Sequence, residues 1–167
     1  MSKGADLTDA RVEAQVGDVL REQGWTICAA ESCTGGLVLH RLTNIPGSSD
    51  YVLGGVVSYS NSAKQHILHV RQGSLIAYGA VSEQVASEMA TGARDLFAAT
   101  FALSVTGIAG PGGGTPDKPV GLTYIGLSGP DDLLVVQRHI WDGDREAVKA
   151  ASAEAALRLL LDTLNTL

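Results

Sequence analysis

The stretch Ala30-Glu31-Ser32-Cys33-Thr34-Gly35-Gly36 constrains the fold more than any other, because the backbone period changes across it. Before it, Trp25 to Ala30 is apolar, includes Ile27 and follows Gly24, which makes it too short for a helix and suited to a buried strand. After it, Leu37, Val38, Leu39 and Leu42 continue at a helical period until Asn44-Ile45-Pro46-Gly47 breaks it. A strand that runs straight into a helix places Ser32, Cys33 and Thr34 at the mouth of that helix. Four N–H groups of a helical first turn lack partners, and Gly35 and Gly36 put no side chain in the way of a ligand. Serines ahead of helices commonly serve as N-caps, so a cap and a chemical role both stand open for Ser32.

The same alternation recurs along the chain. Val12, Val16, Val19 and Leu20 predict a helix from Asp9 to Gln23, with Gly24 as its C-cap. Val52 to Tyr59 reads as a second strand, in which Gly54 and Gly55 mark a bulge or a close backbone approach. Asn61 or Ser62 caps a short helix carrying Lys64, Ile67 and Leu68, and a broken segment follows from Gly73 to Gly79. Ser82 caps a helix with Val85, Met89, Ala93 and Leu96 on one face. Phe101 to Val105 is a third strand and enters Thr106-Gly107-Ile108-Ala109-Gly110-Pro111-Gly112-Gly113-Gly114. Val120 to Leu127 and Leu133 to Trp141 form a hairpin, and Asp142 or Asp144 caps a last helix from Arg145 to Leu164.

This order predicts an α/β fold: three layers, α/β/α, around a mixed, mostly parallel sheet of about five strands. Residues 1–167 are expected to form one domain, which at this length buries about 70% of its unfolded surface. In open α/β sheets ligands lie beyond the carboxyl ends of the strands. The loops after Ala30, Tyr59 and Val105 all fall there and are expected to line one pocket.

Composition narrows the partners. A net charge of -6 with no basic cluster argues against nucleic acid. The longest apolar runs, such as Val52 to Val57, are far shorter than the ~20 residues of a membrane span. Cys28 and Cys33 are too few for a disulfide scaffold and suit a reducing, cytoplasmic setting, and the polar Met1 to Asp9 carries no secretory pattern.

The glycine loop invites a nucleotide reading that the known motifs do not support. Gly107 and Gly112 have P-loop spacing, but Gly113 and Gly114 stand where Lys and Ser or Thr are required. Gly110 and Gly112 would need a glycine at Thr115 to make a dinucleotide fingerprint. What remains is a general ligand cradle. Ser32 needs a base to become a nucleophile, and no histidine serves: His40 lies in a helix body, His66 and His69 share a helix face, and His139 sits in the terminal strand. His66 and His69 have metal spacing without a carboxylate or thiol partner, so no metal is expected. Lys64 is the better base, because the N-terminal turn of its helix disfavours a cation and lowers its pKa. Tyr59 at the strand end can polarise or relay. The Ser-x-x-Lys spacing is absent, since Gly35 occupies its last position, so Ser32 and Lys64 would meet only through the fold. Cys33 remains a rival nucleophile.

Ala30-Glu31-Ser32-Cys33-Thr34-Gly35-Gly36, Val57-Ser58-Tyr59-Ser60-Asn61 with Lys64, Val105-Thr106-Gly107-Ile108-Ala109-Gly110-Pro111, Lys118-Pro119-Val120-Gly121 and Gly143-Asp144-Arg145 together resemble the CinA C-terminal domain family, over nearly the whole chain. The resemblance implies a stand-alone nicotinamide-nucleotide amidase, which converts nicotinamide mononucleotide to nicotinate mononucleotide and ammonia in pyridine nucleotide recycling. It implies Ser32 as nucleophile, Lys64 as base and Tyr59 as a polarising neighbour. It further implies a substrate site made by Thr34, Gly35, Gly36, Asn61, Thr106, Gly107, Ala109, Gly110, Gly112 and Arg145, the arginine pairing with the phosphate. No cofactor is implied. In many relatives this domain follows a larger N-terminal domain that this chain lacks, so activity belonging to that domain is not expected here. A homo-oligomer is expected from the apolar composition. The competing class is a nucleotide-binding or competence-associated interaction module without turnover.

Overall fold

The computed structural model describes residues 11–167. Asp9 and Ala10, where the first helix was expected to begin, and the polar Met1 to Asp9 segment lie outside the described residues. Six helices, α1 (Val12–Gln23), α2 (Leu37–Thr43), α3 (Asn61–Leu68), α4 (Gln72–Tyr78), α5 (Glu83–Phe97) and α6 (Arg145–Leu164), pack on five strands, β1 (Ile27–Glu31), β2 (Val52–Val57), β3 (Phe101–Gly107), β4 (Leu122–Ser128) and β5 (Leu134–Ile140).

The sheet runs in the order β2-β1-β3-β4-β5. β1 is parallel to both β2 and β3, and β4 is antiparallel to both β3 and β5, so β4 alone runs against the other four. Side-chain alternation divides the core into two. Ile27 and Ala29 of β1 and Phe101, Leu103 and Val105 of β3 face α1, α2 and α6, packing with Val16, Leu20, Val38, Leu157 and Leu160. Cys28, Ala30 and Ala102 face the opposite layer, with Leu68, Leu75, Val85, Met89 and Ala93 of α3, α4 and α5. Both faces are covered, which explains why β1 and β3 are almost continuously apolar rather than alternating.

Local chemistry accounts for the boundaries. Gly24 adopts φ 68° and closes α1. Ser82 Oγ accepts the Val85 N–H at 3.3 Å, and Asp144, rather than Asp142, accepts the Ala147 N–H at 2.9 Å. The pairing of β1 with β2 shifts between Ile27 and Cys28, skipping Leu53, so the glycines mark a bulge as expected. They also permit close approach, since a Cβ on Gly55 would lie 2.5 Å from the Ala29 carbonyl oxygen.

Two boundaries differ from the sequence reading. Ser60, not Asn61 or Ser62, caps α3, its Oγ accepting the Ala63 N–H at 3.0 Å, and Asn61 is the first helical residue. The segment from Gly73 to Gly79 is not broken but largely helical, as α4. Its start is held from another helix: Glu88 of α5 accepts the Arg71 N–H at 2.8 Å and the Ser74 hydroxyl at 2.6 Å.

α3 and α5 approach closely at Gly92, where an added Cβ would lie 1.9 Å from the Leu68 carbonyl oxygen. Neither helix backbone can yield there without moving the layer. Gly92→Ala is expected to lower stability by about 2–4 kcal/mol in thermal or denaturant unfolding; an unchanged midpoint would contradict this packing.

Candidate active site

Glu31, Val57 and Gly107 end β1, β2 and β3 on the same edge of the sheet, and the three following loops enclose a cavity of about 270 Å³. The turn after β1 contributes Ser32 and Cys33, and the β2–α3 segment contributes Tyr59 and Lys64. Thr106, Gly107, Ala109, Gly110 and Gly112 come from the end of β3 and its loop, and Arg145 from the start of α6. Ile108 and Gly113 of the glycine loop also line it, as do Ala80 and Val81, which nothing in the sequence marks. Asn61, Thr34, Gly35 and Gly36 do not line it. A wider hollow of about 490 Å³ lies over α5, lined by residues such as His69, Glu88, Thr91 and Leu134, and gathers none of the strand-end residues.

Lys64 is the unusual member. Its side chain is only 1% exposed, and Nζ donates to Ser32 Oγ at 3.0 Å, the Ser58 carbonyl at 2.7 Å and the Tyr59 carbonyl at 3.3 Å. These acceptors are neutral, and no ion pair among the described residues includes Lys64. Burial pushes its pKa down to about 8. Burial, rather than the helix terminus to which the sequence pointed, is therefore the leading cause. Cys33 behaves oppositely: burial first, with the Glu31 charge adding to it, pushes its thiol up to about 11, so the sulfur stays protonated near neutrality.

Glu31 is the site residue that the sequence reading missed. It is fully buried, and Oε2 accepts the Thr34 hydroxyl at 2.6 Å and the N–H groups of Gly36 at 3.0 Å and Val38 at 3.1 Å, while Oε1 accepts the Leu39 N–H at 3.0 Å. The Gly35 N–H is also taken, by the Ser32 carbonyl at 3.1 Å. The donors of Gly35 and Gly36 that were expected to meet a ligand are thus engaged inside the protein. The sequence signal was present in principle: a carboxylate at the end of an apolar strand, just before a helix, sits where helix donors attract it.

Tyr59 and Arg145 meet across the cavity. Arg145 Nη2 donates to the Tyr59 hydroxyl at 2.9 Å and Nη1 to the Gly110 carbonyl at 2.8 Å. The Tyr59 ring therefore points to the arginine, and its residue reaches Lys64 through the main-chain carbonyl instead. Thr106 Oγ1 donates to the Ala80 carbonyl at 2.9 Å. Lys118 fastens the far end of the glycine loop, donating to the carbonyls of Val81 at 2.8 Å and of Tyr78.

The model of the CinA C-terminal domain matches residues 9–164. The chain belongs to that family. A CinA-like protein of Trichormus variabilis is 50% identical over 90% of this chain and 37% of its own length, and one of Salinibacter ruber is 48% identical over 94% and 38%. The chain therefore spans less than two fifths of these curated relatives. Among solved CinA-family structures, the competence/damage inducible protein CihA of Agrobacterium tumefaciens is 38% identical with a TM-score of 0.87, over 99% of both chains. A CinA superfamily protein of Klebsiella pneumoniae is 33% identical with a TM-score of 0.89, over 93% of this chain and 97% of that one.

The buried lysine makes a stability prediction. Between about pH 8 and 10.5 the unfolded chain keeps a proton on Lys64 that the folded chain has lost, so stability should rise with pH through that window. Below pH 8 both states hold the proton and the folded state carries the full cost of a buried ammonium, on the order of 3 kcal/mol. Lys64→Met should be more stable than the parent at pH 7, with the difference narrowing towards pH 10.5. Denaturant unfolding at both pH values checks this, and a Met variant that is less stable at pH 7 would contradict it.

Proposed function

We propose that the protein is an amidohydrolase that converts nicotinamide mononucleotide to nicotinate mononucleotide and ammonia through a Ser32 acyl-enzyme, with Lys64 moving the protons. The observation that carries this is the 3.0 Å contact between a buried lysine and a buried serine, in the cavity that the loops after β1, β2 and β3 line. A binding module has no need for an ammonium desolvated against a hydroxyl, which costs stability; a nucleophile and its base require that arrangement.

In its neutral form Lys64 Nζ accepts the Ser32 proton as Oγ bonds to the carboxamide carbon. The protonated lysine then returns that proton to the departing nitrogen, the C–N bond breaks and ammonia leaves. Water next gives a proton to Lys64 while its oxygen bonds to the acyl carbon; Lys64 returns that proton to Ser32 Oγ as the Oγ–C bond breaks, and the released acid loses its own proton to solvent to leave as the carboxylate. A pKa near 8 suits both halves, because the same group must accept and donate near neutrality. The thiol of Cys33, held protonated by burial, is the poorer nucleophile.

With the Gly35 and Gly36 donors engaged, the loop from Gly107 to Gly112 is the main-chain surface against which the substrate lies. A guanidinium has five N–H donors, so the two bonds of Arg145 leave capacity for a phosphate at the cavity edge. A cavity of about 270 Å³ suits a mononucleotide better than a dinucleotide. The family resemblance supports the same substrate, whereas the competence/damage-inducible wording of the relatives carries no chemistry.

Ammonia release from nicotinamide mononucleotide tests the reading. Ser32→Ala should lose about 10³-fold or more of kcat, Cys33→Ala should stay within a few-fold, and a chelator should leave turnover intact. Activity should climb with pH through a limb near 8, as Lys64 deprotonates. Mononucleotide binding without turnover by the wild type would replace the amidase with a binding module, and a limb only near 10.5 would remove Lys64 as the base.

A further inference from the structure

We propose that Glu31 is the positioning residue of the Ser32–Lys64 pair, a role that rests on the serine–lysine reading above. Both halves of this residue hold part of the pair. Its main-chain carbonyl accepts the Ser58 N–H at 2.9 Å, and the Ser58 carbonyl accepts Lys64 Nζ at 2.7 Å. Its carboxylate gathers the Thr34 hydroxyl and the N–H groups of Gly36, Val38 and Leu39. Ser32 lies between these two attachments, with its own N–H on the Val105 carbonyl at 2.9 Å. The support under the lysine and the turn that carries the serine are therefore fastened to one side chain and its own peptide.

A carboxylate is required there for a reason of counting. Four donors converge on two oxygens, three on Oε2 and one on Oε1. A glutamine of the same shape has one oxygen, so its amide N–H would face a main-chain N–H at one of the two places. The first turn of α2 must then move away from β1, and the residues between them are Ser32 to Gly36. Reacting groups lose about 100-fold in rate for a misplacement on the order of 1 Å. Glu31 does not line the cavity, so the effect is expected in the chemical step and not in binding.

The experiment compares Glu31→Gln, Thr34→Val and, as a control, Glu13→Gln. Glu13 is another buried carboxylate, paired with Arg41 at 2.7 Å away from the cavity. Each is treated with a fluorophosphonate, which phosphonylates Ser32 Oγ with loss of fluoride while the serine proton goes to Lys64, and each is assayed for kcat and KM. Glu31→Gln should label about 30-fold or more slowly, with kcat falling and KM within about threefold of the parent. Thr34→Val, which removes one donor only, should label about 3–10-fold slower. Glu13→Gln should label at the parent rate even though its unfolding midpoint falls. Folded Glu31→Gln that labels at the parent rate overturns the proposal, as does a loss in Glu13→Gln of the same size. Should Glu31→Gln not fold, parental labelling of Thr34→Val overturns it. A wild type that is not labelled overturns the serine–lysine reading and this proposal together. The expected labelling series without ammonia release would support the positioning role and remove only the substrate assignment.

Discussion

A lysine held against a serine, with no counter-ion among the described residues, is the constraint on which the rest of this structure turns. Ion pairs elsewhere in the molecule, such as Arg41 with Glu13 and Glu154, follow the usual rule that a partly buried charge finds an opposite one. Lys64 has instead two main-chain carbonyls and a hydroxyl. Those acceptors satisfy its hydrogen bonds but do not neutralise its charge, so burial lowers its pKa to about 8.

The sheet makes such a meeting possible between residues far apart in sequence. β1 and β2 are parallel neighbours, so their carboxyl ends emerge side by side, and the serine that follows one faces the lysine one helical turn beyond the other. β3, on the other side of β1, delivers the glycine loop to the same edge. Glu31 then plays for α2 the part that Glu88 plays for α4. In each case a buried or half-buried carboxylate satisfies the first donors of a short helix that has no cap of its own. Helices of seven residues have little stability alone, so their positions are set by these carboxylates and by packing.

What was legible in the sequence was the period. Gly24 and Gly35-Gly36 bracket an apolar run, and the switch of spacing after them leaves little choice but strand, turn and helix; the three-layer order and the strand-end cavity follow from repeating that argument. Residues that meet only through the fold were less legible. Ser60, Asn61 and Ser62 are all able caps, and propensity does not choose among three in a row. α4 contains Gly73 and takes its cap from Glu88, which no local pattern reveals. Glu31 was not singled out, because the four donors that enclose it come together only once α2 is placed against β1. Direction of approach was equally hidden: the Tyr59 ring turns to Arg145, which only the placement of α6 determines.

A Ser32–Lys64 pair can act only if Lys64 gives up its proton near neutrality. Titration of Lys64 in protein carrying isotopically labelled lysine, with the resonance assigned by its loss in Lys64→Met, measures that ionisation directly. The structure predicts a midpoint near pH 8 for Lys64. A midpoint at 10.5 would mean that the buried ammonium is not destabilised, and would contradict its role as the base.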